Sequence, residues 1–319
     1  MNEDAFASGA LDRYRTYDPP PQDFDPLTAR PHALRKHGLP PRPDLRSEPE
    51  LDRMWRHAAS LSPNYVKAEL AIDSLMSARD PLLRTAKDNE FGPSNWGGVF
   101  VQTNGAKFVY AEWVVPAVAN FDPALFSDVI AGFWVGIDGI AFEVGGNQLL
   151  QAGIRVDVNP LGGSWPPVLQ PVRWRVWTEW WSQEFADDPR AGAVYVSNFP
   201  VSAGDTVSFL VCAEQPDFGY VWISNFSTGQ HTSVGIDALP QIASVGGTVE
   251  WIVEAPSGSP DLPLFSPVTF NSCVGGSLGG QLHNVWHGNV VDIDGSNGKL
   301  TKTSITSDTS VVVEWEGWS

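Results

Sequence analysis

The sequence predicts an all-β protein, a sandwich or barrel of many short strands preceded by a partly helical N-terminal segment. Short β-rich runs recur at 97–102, 107–115, 128–138, 147–156, 172–183, 192–197, 206–213, 219–225, 247–254, 266–271 and 308–315, with Gly, Pro, Asn and Asp between them. Glycine (30) and proline (26) are plentiful in 319 residues and charged residues make up only 18%, the profile of a chain with many turns. No period of 20–50 residues repeats, which removes solenoids and propellers.

The elements follow in order. Residues 1–46 are rich in proline and charge, as in Pro19-Pro20-Pro21, and read as extended chain. Ser47-Glu48-Pro49-Glu50 is a capping box, and Leu51, Met54, Trp55 and Ala58 follow at helical spacing, so a helix is expected at about 48–60. From Tyr65 to Asp73 apolar Val66, Ala68, Leu70 and Ile72 alternate with polar neighbours, the pattern of a half-buried strand. A helix is expected around 77–87. The texture then changes: 13 of the 14 tryptophans lie beyond residue 90. Residues 1–92 are therefore read as an N-terminal extension, either a removable pro-like segment or a permanent one, and 93–319 as the β-domain.

The formal net charge is −17. Residues 1–90 carry 13 Lys and Arg against 15 Asp and Glu, whereas residues 91–319 carry 7 against 22. So few cations exclude nucleic acid and anionic membrane as partners. The acidic surplus serves solubility, or fits a protein that works in acid, where carboxylates protonate and few fixed charges remain to repel. Cys212 and Cys273 are the only cysteines, too few for a metal site or a disulfide framework. No apolar run approaches the roughly 18 residues that span a membrane. The start of the chain lacks the basic and apolar regions of a secretion signal.

Strand alternation sorts the β-domain side chains by face. Trp134, Gly136 and Asp138 share a face, as do Leu149, Gln151 and Gly153, and Trp177, Glu179 and Trp181. Val249, Trp251 and Val253 form a core side, which leaves Glu250, Ile252 and Glu254 on the other. Converging, these faces make a groove floored by indoles and furnished with Asp138, Gln151, Glu179 and Glu254. A carboxylate beside indole rings has its pKa raised by desolvation and can take a proton from water and return it. A glutamine amide can donate to a developing oxyanion without a charge to lose in acid. A Glu/Gln pair therefore suffices to hydrolyse an amide.

Seven strings stand in order: Asn95-Trp96-Gly97-Gly98, Glu112-Trp113-Val114-Val115-Pro116, Trp134-Val135-Gly136-Ile137-Asp138-Gly139, Leu149-Leu150-Gln151-Ala152-Gly153, Trp177-Thr178-Glu179-Trp180, Asn225-Phe226-Ser227-Thr228-Gly229-Gln230 and Trp251-Ile252-Val253-Glu254. Over roughly 95–272 the chain resembles the glutamic peptidases, or eqolisins, acid-acting endopeptidases of fungi and bacteria. The resemblance implies a sandwich of two curved antiparallel sheets, lectin-like in shape, and a catalytic pair matched here by Glu254 and Gln151. It implies supporting roles for Trp96, Trp134, Asp138 and Glu179, with Trp177 and Trp181 beside them in the groove. It also implies a monomer acting on protein or peptide substrates, without metal or cofactor.

Two rival functions remain at this point. One is a glycoside hydrolase using Glu179 and Glu254 as paired carboxylates. The other is a non-catalytic carbohydrate-binding module on a lectin-like jelly roll. Two further motifs are read as structural. His283-Asn284-Val285-Trp286-His287 has zinc-like histidine spacing but no Glu at its second position, and Asp292–Gly298 reads as a hairpin turn rather than a calcium loop.

Overall fold

The computed structural model describes residues 10–46, 48–60, 64–72, 95–119, 129–140, 148–158, 172–185, 188, 190, 192–255, 262–277, 280–295 and 298–317. Two antiparallel sheets form a sandwich. The first, which carries the candidate site, runs β18 (Asn289–Val291), β4 (Trp96–Gln102), β14 (Thr248–Glu254), β7 (Val129–Ile137), β8 (Gln148–Val158), β9 (Arg173–Ser182), β10 (Val194–Val196), β3 (Leu70–Ile72). The second, the back sheet, runs β1 (Tyr14–Thr16), β13 (Gln230–Asp237), β12 (Phe218–Asn225), β11 (Thr206–Gln215), β5 (Phe108–Val114), β16 (Val268–Gly276), β22 (Ser310–Trp315), β21 (Thr301–Ser307). Six short strands complete the set: β2 (Asn64–Tyr65) on β13, β17 (Leu282–His283) on β16, and the pairs β6 (Val118–Ala119) with β15 (Leu264–Phe265) and β19 (Asp294–Gly295) with β20 (Gly298–Lys299).

The alternation expected from the sequence is the one observed. Val249, Trp251 and Val253 of β14 point into the inter-sheet core with Phe133, Val135, Leu150, Ile154, Val176, Trp113 and Phe209. Their neighbours Trp96, Phe100, Trp134, Leu149, Trp177, Trp181, Tyr195 and Ile252 form a separate buried cluster on the outer face of the site sheet. Trp251, buried in the core, still satisfies its indole by donating to the Tyr110 carbonyl at 2.9 Å.

The N-terminal residues pack on the back sheet and along the edges of both sheets. α1 (Pro31–Lys36) and α2 (Pro49–Ser60) bury Leu34, Leu51, Trp55 and Ala58 against Phe108, Tyr110, Leu210, Tyr220 and Trp222 of the back sheet. α2 occupies the expected range. Its Asp52 is fully buried and is held by Arg42 at 3.0 Å and by Arg56, one turn on, at 2.6 Å. The expected strand over Tyr65–Asp73 instead divides between sheets: Tyr65 pairs with His231 of β13, and Leu70–Ile72 pair with β10 of the site sheet. The segment crosses the edge of the sandwich, so no single ladder can hold all of it. The expected helix around 77–87 and Ser47 of the capping box lie outside the described residues.

Cys212 and Cys273 are buried free thiols. Asp294–Gly295 pairs with Gly298–Lys299, so the Asp292–Gly298 motif is a hairpin, with Lys299 Nζ on Asp292 at 2.9 Å. Among the described residues no helix is long and apolar enough to cross a membrane, and no group of three or more His, Cys, Asp or Glu could hold a metal ion.

Candidate active site

Register decides which outer-face side chains meet. Five residues stand in one row across the site sheet: Phe100, Glu250, Gly136, Gln151 and Glu179. The next row holds Gly98, Ile252, Trp134, Gly153, Trp177 and Tyr195. The third holds Trp96, Glu254, Gly132, Arg155 and Arg175. Glycines stand in every row, Gly136 and Gly132 on β7 in the first and third and Gly98 and Gly153 in the second, and they thin the sheet into a shallow trough that Trp134 crosses between Gly136 and Gly132. A Cβ on Gly136 would come within 2.7 Å of Leu149, 2.9 Å of Trp134 and 3.3 Å of Glu250 Oε2, so this position has no room for a side chain.

Glu250 and Gln151 flank Gly136. They are two strand spacings apart, about 10 Å between Cα atoms, which side chains of their length bridge with a small group between them. Both are fully buried, at 0% exposure. Gly139 N–H donates to Glu250 Oε1 at 3.1 Å, while Glu250 Oε2 has no hydrogen-bond partner among the described residues. Gln151 Nε2 donates to Glu179 Oε2 at 2.9 Å, and Gln151 Oε1 is likewise buried without a partner. The space over Gly136 is filled by the ends of Leu149, Trp134 and Glu250, so these two oxygens are unsatisfied polar atoms inside a packed, tryptophan-lined wall.

The electrostatics follow from burial. Desolvation pushes the Glu250 carboxyl well above the ordinary carboxylate range, and the nearby Asp138 charge pushes the same way. Hydrogen bonds from Thr248 and the Gly139 N–H offset part of this. Burial therefore favours the protonated form of Glu250.

The residues expected from the sequence divide between two places. Gln151 and Glu179 are neighbours, joined by a hydrogen bond. Glu254, the expected partner of Gln151, stands on the same outer face two strands and two rows away, roughly 16 Å between Cα atoms from ideal strand spacing and rise. Glu254 accepts the Trp134 indole N–H at 2.7 Å and the Asn95 amide at 3.2 Å. The rival carboxylate pair, Glu179 and Glu254, is separated by a further strand. Trp96 and Trp134 meet edge to face, 4.8 Å between ring centroids, and wall the trough with Trp177 and Trp181. The indole N–H groups of Trp96 and Trp177 are buried with no partner among the described residues.

Asp138 leaves the face that strand alternation assigns it. Its backbone turns left-handed, φ +76°, just past the end of β7. Its carboxylate accepts from Ser244 Oγ at 2.7 Å, Val245 N–H at 3.0 Å and Gly247 N–H at 2.6 Å. Asp138 thus anchors the loop that delivers β14, and with it Glu250. Glu250 stands on the outer face that strand alternation assigns it, together with Ile252 and Glu254.

Comparison with known proteins supplies an independent finding. Residues 94–315 match the family described as Peptidase A4, further toward the C-terminus than the seven strings extend. Aspergillopepsin-2 of Aspergillus niger is 26% identical, over 74% of this chain and 83% of that protein. Among solved structures, scytalido-glutamic peptidase with a transition state analog inhibitor superposes with a TM-score of 0.54 at 21% identity, over 69% of this chain and 98% of that one. SCP-B, described as a member of the eqolisin family in complex with a tripeptide, gives 0.52 at 21% identity with the same coverage. These superpositions show that the sandwich is the eqolisin fold.

Proposed function

The chain belongs to the Peptidase A4 family of glutamic peptidases and is a peptide-bond hydrolase, and from that premise we propose that it is an acid-acting endopeptidase whose proton shuttle is Glu250 and whose uncharged partner is Gln151. The observation that carries this is the shared row: Glu250 and Gln151 flank Gly136, and each keeps a buried oxygen with no hydrogen-bond partner among the described residues. The working carboxylate thereby moves from Glu254 to Glu250, while Gln151 keeps the role expected from the sequence.

Burial fixes the protonation state in which the cycle begins. With its pKa raised, Glu250 starts as the acid and donates its proton to the scissile carbonyl oxygen as water attacks the carbon. The carboxylate left behind takes a proton from that attacking water, giving a neutral gem-diol. Gln151 holds one gem-diol oxygen with the amide hydrogen that Glu179 does not occupy. Glu250 then protonates the leaving nitrogen, the C–N bond breaks, and the remaining hydroxyl proton returns to Glu250. The shuttle begins and ends protonated, so no charged group has to be regenerated from solvent. Trp96 and Trp177, with free indole donors, hold the peptide backbone along the trough.

The test is a pH–rate profile on a denatured protein substrate, with products read by mass spectrometry. Because protonated Glu250 is the active form and its pKa is raised, activity is expected throughout the acid range. It is expected to fall as pH rises through the elevated Glu250 pKa, above the ordinary 4.5. Full activity well above neutrality, or activity that survives Gln151→Ala, would overturn the reading.

A further inference from the structure

From the buried Glu250–Gln151 row the groove face continues along β8 and β9 past Arg155, also buried, and becomes exposed toward Arg175 and Arg173. Arg155 lies four residues along β8 from Gln151, about 13 Å at strand rise. Arg155, Asp157, Arg173 and Arg175 all stand on the groove face: Arg155 opposes Arg175 and Asp157 opposes Arg173 in the β8–β9 register. Arg173 is exposed and Arg175 half-buried. Asp157 ties two of the guanidiniums together, accepting from Arg155 Nε at 2.8 Å and lying 3.4 Å from Arg175 Nε. Arg175 is further fixed over the Tyr195 ring, 4.9 Å from its centroid.

This patch is exceptional for the chain that carries it. Residues 91–319 contain seven Lys and Arg against 22 Asp and Glu, and three of the seven are these arginines. Solubility gives no reason to gather them at the mouth of a groove. Placing guanidiniums there also suits acid conditions, since arginine stays charged at every pH at which the enzyme works.

We propose that Arg173 and Arg175, positioned by Asp157 and by the buried Arg155 behind them, form a substrate subsite that binds a carboxylate of the peptide three or four residues from the scissile bond. The inference rests on the peptidase reading above and deepens it by naming a substrate class, acidic peptides. The carboxylate comes from a Glu or Asp side chain or from a free C-terminus. The Asp157-braced arginines are set to receive it as a charge-assisted pair. The preference carries a pH signature of its own. Below about pH 4 the substrate Glu protonates and the advantage fades, although the guanidiniums do not change.

The test uses a set of peptides with one cleavable bond. A single Glu is moved from four residues on one side of the bond to four on the other, with Gln at the same position as control. Each peptide is made with a free and with an amidated C-terminus. Both kcat/KM and Kd, the latter from intrinsic tryptophan fluorescence, are measured at pH 3 and pH 5. At one position Glu is expected to exceed Gln by roughly tenfold at pH 5 and by much less at pH 3. A dependence on the free C-terminus alone would identify the terminal carboxylate as the ligand. In Arg175→Gln the Glu/Gln ratio should fall toward one, and in Arg173→Glu/Arg175→Glu it should invert in favour of Gln. Equal kcat/KM and equal Kd for Glu and Gln at every position, with no gain from a free C-terminus, would overturn the subsite. Binding selectivity without turnover of any peptide would instead overturn the peptidase reading and leave the subsite standing.

Discussion

The two outer faces of the sandwich are both lined with tryptophan, yet they are finished in opposite ways. On the back sheet, Trp222 lies under Trp55 of α2, 6.4 Å between ring centroids, and the N-terminal helices seal an apolar layer over it. On the site sheet, Trp96, Trp134 and Trp177 stand among glycines, and no described helix residue joins their cluster. Each face also buries titratable groups, and two of them are displaced in opposite directions. His231 of the back sheet is stacked between Tyr65 and Trp222 with its Nδ1 2.6 Å from Ser224 Oγ, and burial lowers its pKa to about 3. Glu250 of the site sheet is driven the other way. The lesson is that neither indoles nor unpartnered buried polar atoms mark a site by themselves, since Tyr220, Trp222 and His231 of the back sheet also keep such atoms. A buried carboxyl and a buried amide standing in one row set the site sheet apart.

Opposite shifts have a joint consequence for stability. The folded pKa of His231 lies below its unfolded value near 6.5, so its contribution is full above pH 6.5 and is lost as pH falls toward 3. A shift of that size is worth roughly 5 kcal/mol over the range if the ring stays buried. The folded pKa of Glu250 lies above 4.5, so its contribution is full below 4.5 and is lost as pH rises through the elevated value. Both groups are neutral in a mildly acid window, and that is where the fold should be most secure.

Several changes would break or sharpen the contrast between the faces. Trp55→Ala removes the keystone of the back layer and is expected to cost about 3–5 kcal/mol in denaturant unfolding. The kcat of the fraction that remains folded should not change. Gln151→Ala acts on the other face, with kcat expected to drop about 10²–10³-fold in a peptide assay. Glu179→Gln leaves Gln151 in place but loosens its orientation, so roughly a tenfold loss in kcat is expected in the same assay. The smallest effect concerns the buried imidazole. His231→Phe keeps the stack but removes the titration, so the acid unfolding midpoint, read by tryptophan fluorescence, should move about one pH unit lower. An unmoved midpoint would show that His231 does not set the acid limit.

Much of this was legible in the sequence because strand alternation is local. The runs at 128–138, 147–156, 172–183 and 247–254 each became a strand of the site sheet, and the Trp251 and Trp134 sides were assigned correctly. Polar edge strands were missed. Thr301–Ser307 and Gln230–Asp237 carry Thr, Ser, His and Gly where a half-buried strand is expected to alternate cleanly. The choice between Glu250 and Glu254 was beyond a period of two, because residues four apart share a face. Only the register of β14 against β7, fixed by contacts more than a hundred residues apart, separates them. The turn at Asp138 depends likewise on the loop it anchors, Ser244–Gly247, and no pattern within Trp134–Gly139 announces it.

The N-terminal residues also look different once their contacts are known. Arg13 donates to the backbone carbonyls of Asp237 at 2.9 Å and Trp180 at 3.2 Å, and also to that of Arg190, tying the strand before α1 to both sheets. β1 and β3 each extend a sheet at its edge. None of the described N-terminal residues belongs to the groove cluster.

The most direct measurement is a side-by-side comparison of Glu250→Gln and Glu254→Gln on one acidic peptide at pH 4, with folding of each verified by its thermal midpoint. Glu250→Gln should lose at least three orders of magnitude in kcat, since the proton shuttle is gone. Glu254→Gln should lose no more than about tenfold, through a less firmly held Trp134. Near-normal turnover in Glu250→Gln, with turnover abolished in Glu254→Gln, would return the working carboxylate to the third row and contradict the assignment.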